Sequence, residues 1–188
     1  MSPELFRGNL VRLEAVDPED ISKEMTRWIL DSEYFRMLDS APPLLWSEKK
    51  VKEWIDKDLE KNPADDLFFS IRALADDRLI GFISLFDHSG HTGDALVGIG
   101  IGEREYWSKG YGTDAMRVML DYVFNELNLR RLTLITFEHN PRGIRSYQKA
   151  GFVLEGRTRG AMQREGRRWD WLWMGILREE WAQGNSGD

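Results

Sequence analysis

A glycine-dotted apolar run, Ala95–Gly102 (ALVGIGIG), is followed after seven residues by Gly110-Tyr111-Gly112 at the head of an amphipathic helix. Any fold for this chain must accommodate that succession. The run reads as a strand, and glycine inside a strand marks close approach of a ligand or of another backbone. The helix carries an apolar stripe of Ala115, Met116, Met119, Tyr122, Val123 and Leu127, at helical spacing. Arg131–Phe137 (RLTLITF) then reads as a buried strand. At the strand-to-helix junction several backbone N–H groups lie unpaired at the positive end of the helix dipole. Glycines let an anion approach them without a Cβ in the way. A phosphate site and a plain tight turn are both compatible with the motif.

The remaining elements are read from periodicity and punctuation. Asn9–Val16 alternates as a strand. Asp17-Pro18 opens a helix through about Asp31, with Ile21, Met25, Trp28 and Ile29 on one face. Ser47 caps a second helix, Glu48–Lys61. Leu67–Leu74 and Leu79–Phe86 form a hairpin, and 87–94 is a loop. Asn140-Pro141 starts a helix that ends near Gly151. Phe152–Arg159 and Arg168–Leu177 are two further strands. The second puts Trp169, Trp171 and Trp173 on one face, a core wall or an aromatic substrate wall. If exposed, that face suggests a homodimer. Residues 1–182 read as one domain and 183–188 as a flexible tail.

Composition excludes several chemistries. With no Cys in 188 residues, disulfides, thiolate zinc sites and a cysteine nucleophile are impossible. A formal net charge of −6 argues against a nucleic-acid partner, which needs a basic surface. That charge is uneven. Residues 1–66 hold 10 basic and 16 acidic side chains, whereas residues 140–170 hold 8 basic and 3 acidic. One part would attract cations and the other anions. Glu4, Arg7, Arg12, Glu14, Asp17, Glu19 and Asp20 interrupt the first twenty residues, so no signal peptide is expected there. No run approaches the roughly 20 apolar residues of a membrane span. A cytoplasmic protein without a membrane partner is the expectation.

Gly110–Ala115 also fits the dinucleotide fingerprint G-x-G-x-x-A, with Glu138 at the end of the next strand where a ribose-binding acid falls. Two features oppose this. The seven residues before Gly110 are too many for the tight dinucleotide turn. The 50 residues after Glu138 are too few for the wound parallel sheet.

The stretch Glu105-Tyr106-Trp107-Ser108-Lys109-Gly110-Tyr111-Gly112-Thr113-Asp114-Ala115 resembles the pyrophosphate loop of the GNAT N-acetyltransferases. It is most similar to the branch of the ribosomal-protein N-terminal acetyltransferases RimJ and RimL. Asn140–Phe152 (NPRGIRSYQKAGF) resembles that family's N-x-x-A-x-x-x-Y-x-K-x-G-F element. Glu155-Gly156, Asp170 and Met174 give a weaker third match. The resemblance covers about residues 8–180. It implies an α/β (α+β) fold with one central mixed, mostly antiparallel sheet of about seven strands. That sheet would contain a splayed parallel pair and be flanked by about four helices.

The resemblance also implies acetyl-CoA as donor and an amine as acceptor. Backbone amides of Ser108, Lys109, Gly110, Tyr111, Gly112 and Thr113 would hold the pyrophosphate. Gly100, Ile101 and Gly102 would pair with the pantetheine arm. Asn140 matches a cofactor-contacting position, and Tyr147 matches the tyrosine that protonates the departing thiolate. Trp107 replaces the Q or R that usually begins the loop.

A thioester is already activated, so a neutral amine can attack it directly, and without Cys no cysteinyl-acetyl intermediate forms. A backbone N–H of 100–102 could serve the oxyanion. Tyr147, with a reference pKa of about 10, is a candidate acid or a core tyrosine. The base is less defined. Relatives often carry Glu where this chain has Leu96, and Asp94 on the same strand face is offered as its substitute. Glu138 and Asp170 are further candidates. A water chain, or an α-amine acceptor near its pKa of about 8, could make a base unnecessary. His88 and His91 share a loop with Asp87, but a metal site needs three or four convergent ligands and none is expected.

Three functions therefore compete. They are an N-acetyltransferase for a protein N-terminus or small amine (polyamine and antibiotic-type acceptors included), a non-catalytic acyl-CoA-binding module, and a nicotinamide-cofactor domain. The acidic helices of residues 17–61 could draw in a cationic amine while the basic stretch meets CoA.

Overall fold

The computed structural model describes residues 4–60 and 67–185. The chain runs β1 (Val11–Ala15), α1 (Pro18–Trp28), α2 (Ser32–Leu38), α3 (Glu48–Leu59), β2 (Leu67–Ala73), β3 (Leu79–Ser89) and β4 (Asp94–Ile101). It continues with α4 (Tyr111–Asn125), β5 (Arg131–Phe137), α5 (Pro141–Ala150), β6 (Val153–Arg164), β7 (Arg167–Leu177) and α6 (Arg178–Asn185). Caps define the helix starts. Asp17 accepts from the amide of Glu19 at 2.9 Å, with Pro18 in the first turn. Asn140 does the same for α5, accepting from Gly143 N at 2.9 Å, and Gly151 ends that helix at φ 106°. Pro and Gly sit at the ends where their backbone preferences fit.

The seven strands form one sheet in the order β1-β2-β3-β4-β5-β7-β6. All neighbours are antiparallel except β4 and β5. That single parallel pair excludes the wound sheet of a dinucleotide domain. Its pairing is confined to Asp94–Leu96 against Arg131–Thr133. Beyond Leu96 the strands part, while β4 stays paired to β3 as far as Ile101 opposite Gly81. The C-terminal half of β4 therefore has one edge that no strand among the described residues covers.

Two apolar layers cover the sheet. On one face α4 and α5 bury Met116, Met119, Val123, Ala150, Leu132, Leu134, Met174 and Ile176 in the larger core. On the other, α1–α3 bury Ile21, Trp28, Tyr34, Val51 and Ile55 against Leu79 and Phe82. Each fully buried side chain of this size contributes about 1.5–3 kcal/mol.

Several expectations change. Among the described residues two α-helices beyond the four expected are present. Helix α2 is one that the sequence reading does not contain, because Asp31 reads as the end of α1 and in fact caps α2 through the amides of Glu33 and Tyr34. Helix α6 carries Gln183, Gly184 and Asn185 of the expected tail, and 186–188 lie outside the described residues. Lys61, the expected end of α3, also lies outside them. The tryptophans of β7 do not form a core wall. Leu172, Met174 and Ile176 face the core, and Trp169, Trp171 and Trp173 are half-buried on the opposite face. No described helix is long and apolar enough to cross a membrane.

Candidate active site

The parting of β4 from β5 opens a cleft of ≈ 480 Å³. Ile99, Gly100 and Ile101 form one wall, Ser108 and Gly110–Thr113 the rim, and Asn140, Ser146 and Tyr147 the opposite side. Tyr34, Met37 and Leu38 of α2 complete it. The two sequence motifs thus meet across one cavity, held together by a 2.9 Å hydrogen bond between the hydroxyls of Thr113 and Ser146.

The rim is an open amide array. Ser108 and Gly110 both have positive φ, 59° and 95°, which turns successive N–H groups the same way. Gly110 provides α4 with no side-chain cap, so the first amides of this helix stay available to an anion. A Cβ on Gly112 would meet Ile101 and Ser146 at an ordinary 3.6 Å. Packing does not require glycine there, so its missing side chain leaves space that the cleft can give to a ligand. Arg117, Arg142, Arg145 and Lys149 line the same cleft, placing three residues of the basic 140–170 stretch beside it. An open amide rim with four cations fits a polyanion such as the phosphates of CoA.

Not every expected residue takes part. Lys109 is exposed and does not line the cleft. Gly102 is corrected outright: its amide donates to Ile80 O at 2.8 Å, and a Cβ on it would overlap the Trp28 indole. This glycine serves helix packing. Hydrogen-bonded pairs alternate along an antiparallel ladder, so Gly100, two residues before Gly102, also turns its amide toward β3. Ile99 and Ile101 present theirs to the open edge. Trp107 lines the cleft and donates its indole N–H to Ile101 O at 2.6 Å. Arg142 lies 3.8 Å from its ring centroid, a cation over a π face. The residue replacing Q or R therefore caps the end of β4. Asn140 is buried in the wall, its amide committed to capping α5 and to Met37 O at 3.4 Å.

The structure does not bring Asp94 to this cleft. Asp94 stands at the other end of β4, six residues from Gly100 or about 20 Å along a strand, and pairs with Arg130 at 3.1 Å. Glu138 and Asp170 share Arg157, at 3.2 and 2.8 Å. Hydrogen bonds from Gly160 N and Arg157 hold the Asp170 carboxyl below its usual range, so it is a poor base. Near the cleft, Asp31 and Glu33 are paired with Arg104, and Glu33 also lies 3.7 Å from Arg142. The acidic N-terminal helices thus place arginine-paired carboxylates beside the cleft. Among the described residues no three His, Asp or Glu are grouped to hold a metal.

Tyr147 of α5 lines the cleft, and burial pushes its phenol up to about 12. It is therefore a neutral proton carrier across the physiological range. Two residues of the site left no mark in the sequence. Asp114 is buried and accepts from the amides of Asn9, Leu10 and Val11 at 3.2, 2.7 and 3.1 Å. It ties the start of β1 to the first turn of α4. Tyr34 is 4% exposed, and its hydroxyl has no hydrogen-bond partner among the described residues.

The Acetyltransferase (GNAT) domain matches residues 11–153. The chain is 29% identical over 180 residues to the SPbeta prophage-derived uncharacterized N-acetyltransferase YokL of Bacillus subtilis, covering 96% of this chain and 97% of that protein. It is 36% identical over 112 residues to the probable N-acetyltransferase YjcK of the same organism, 59% of this chain and 60% of that one. Among solved structures, the spermidine N-acetyltransferase from Vibrio cholerae in complex with CoA and spermine superposes with a TM-score of 0.80. It has 24% identity and covers 92% of this chain and 98% of that one; at that identity the likeness concerns the fold. The family match spans most of the chain, including both walls of the cleft, and the chain belongs to the GNAT acetyltransferase family.

Proposed function

We propose that this cleft binds acetyl-CoA and passes its acetyl group directly to a primary amine in a ternary complex. The observation that carries the reading is the convergence of the uncapped amide rim Gly110–Thr113 and the Tyr147 phenol on one cavity beside the open edge of β4. The amides of Gly110–Thr113, with Arg117, Arg145 and Lys149, hold the phosphates. The open edge at Ile99 and Ile101 takes the pantetheine arm as a surrogate strand. Tyr147 gives its proton to the departing thiolate. No acetyl-enzyme through sulfur can form, because the chain has no Cys. Among the described residues the one carboxylate lining the cleft is Asp114, and three amides engage it. The amine therefore enters already neutral, which favours an acceptor of modest pKa such as a peptide α-amine.

The motif resemblance to the RimJ and RimL branch supports a protein N-terminus as acceptor. The likeness in fold to the Vibrio cholerae spermidine enzyme supports a polyamine. The deciding experiment is steady-state acetyl transfer from acetyl-CoA to peptide N-termini, spermidine, aminoglycosides and free amino acids. Turnover with one class identifies the acceptor. Tight acetyl-CoA binding with no turnover on any amine would favour the non-catalytic module.

A further inference from the structure

The Tyr34 hydroxyl is a buried polar group that the fold leaves unpaired. Among the described residues only Tyr34 Oη, His139 Nδ1 and Trp171 Nε1 are buried without a hydrogen-bond partner. Of these residues only Tyr34 lines the cleft. Packing does not explain the hydroxyl. The Tyr34 ring meets Trp28 edge-on at 6.3 Å, a contact that phenylalanine would make equally well. An unpaired buried O–H costs stability with no gain in the empty fold, so its partner is to be sought in what enters the cleft.

Its position indicates which part of the ligand it meets. A methyl on Gly100 would stand 2.6 Å from Oη, so the hydroxyl lies over the bare face of Gly100. Gly100 sits between Ile99 and Ile101, whose amides face the open edge. The glycine is what lets the phenol approach the strand.

We propose that Tyr34 is a catalytic residue that donates its O–H to the acetyl carbonyl oxygen and to the oxyanion derived from it. This rests on the acetyl-CoA reading of the cleft. The amine lone pair forms the C–N bond while the carbonyl π pair moves onto oxygen, where Tyr34 stabilises it. On collapse the C–S bond breaks, and sulfur takes that pair and the proton of Tyr147. The surplus ammonium proton returns to the Tyr147 phenolate through solvent, leaving amide and free thiol. Burial raises the Tyr34 phenol far above its usual value, so it remains a donor throughout.

The test is Tyr34→Phe, read in three ways. By calorimetric titration, the variant is expected to lose affinity for acetyl-CoA on the order of 10-fold and to bind CoA as wild type does, since only acetyl-CoA offers the carbonyl. With an accepted amine, kcat is expected to fall on the order of 100-fold. Melting is expected at or above the wild-type temperature, because an orphaned hydroxyl has been removed. An unchanged preference for acetyl-CoA over CoA with unchanged kcat overturns the proposal. A melting temperature several degrees lower also overturns it, marking the hydroxyl as structural. A wild-type protein that binds neither nucleotide overturns the acetyl-CoA reading itself, a result distinct from both.

Discussion

Gly102 and Trp28 lie in direct contact, with no room for a Cβ between the end of β4 and the indole of α1. Replacing Gly102 by Ala forces the buried Trp28, 1% exposed, out of its place against the sheet. Overpacking of this kind costs about 1–3 kcal/mol, or roughly 2–4 °C of melting temperature per kcal/mol in a domain of this size. Thermal denaturation of Gly102→Ala is expected to show that loss. An unchanged melting temperature would mean that α1 moves freely over the strand.

Gly112 behaves oppositely. Its missing Cβ has ordinary space, and alanine is the better helix former by about 1 kcal/mol. Gly112→Ala is expected to melt at or slightly above the wild-type temperature while the KM for acetyl-CoA rises about 10-fold or more. Both variants add one methyl to one glycine, so together they separate glycine kept for folding from glycine kept for a ligand. A KM within about 2-fold of wild type would show that the pyrophosphate sits elsewhere.

Tyr147→Phe keeps the ring against Phe152, 6.4 Å away, and removes the proton. Loss of a general acid of this type lowers kcat about 10²- to 10⁴-fold, and the KM for acetyl-CoA is expected to hold within about 2-fold. With its pKa pushed up to about 12, this phenol stays protonated through pH 10. The wild-type rate should therefore show no alkaline limb from Tyr147 between pH 7 and 10. A limb with an apparent pKa below 9 that disappears in the variant would contradict the assigned environment.

The contrast between these glycines shows what the sequence can encode. Strand and helix periods, the Asn140 cap and the two glycine motifs are local patterns, and the residues they single out, Tyr147 among them, line one cleft. A glycine in a strand signals close approach without naming the neighbour, so Gly100 and Gly102 looked alike although one faces a phenol and the other an indole. Asp114 contacts amides more than 100 residues away, and no spacing rule reaches that far. Asp94 looked suitable because strand alternation reports the face and not the position along β4. Helix α2, and Tyr34 with it, is not legible in the sequence because Asp31 signals a helix start and a helix end equally well.

Asp114 accepts from three backbone amides at the start of β1. In Asp114→Asn one carboxylate oxygen becomes an amide NH2 donor facing N–H groups. Charge-assisted bonds of this kind are worth about 1.5–3 kcal/mol, and a fall in melting temperature of about 4–10 °C is expected. The damage should centre on the start of β1. Amide hydrogen exchange at Asn9–Val11 is expected to accelerate well beyond that of β5, and uniform acceleration across the sheet would contradict a local anchor.

His139 makes acid stability a property of the site's roof. Its Nε2 lies 3.2 Å from Arg36 O, the carbonyl that Arg164 also donates to at 2.8 Å. Arg36 belongs to α2, so this contact clasps the helix bearing Tyr34 to the end of β5. A carbonyl only accepts, so Nε2 carries a proton, and a pKa below the ordinary value leaves the ring neutral at pH 7. Burial lowers its pKa in the folded state, and the Arg164 charge adds to this, while the Arg36 hydrogen bond, Glu138 and Glu165 oppose it. A depressed folded pKa places the stabilisation above the unfolded value of about 6.5. As pH falls through that value and toward the folded one, the unfolded chain takes up a proton that the native ring resists, and stability is lost. His139→Phe retains the stack on Phe137, whose ring lies 5.4 Å away at 7°, and removes the titration. Between pH 7 and 5 the wild-type melting temperature is expected to fall more steeply than that of the variant, and the gap between the two curves isolates His139 from carboxylates common to both. Parallel curves would mean that the imidazole titrates alike in both states and that the clasp is open to water.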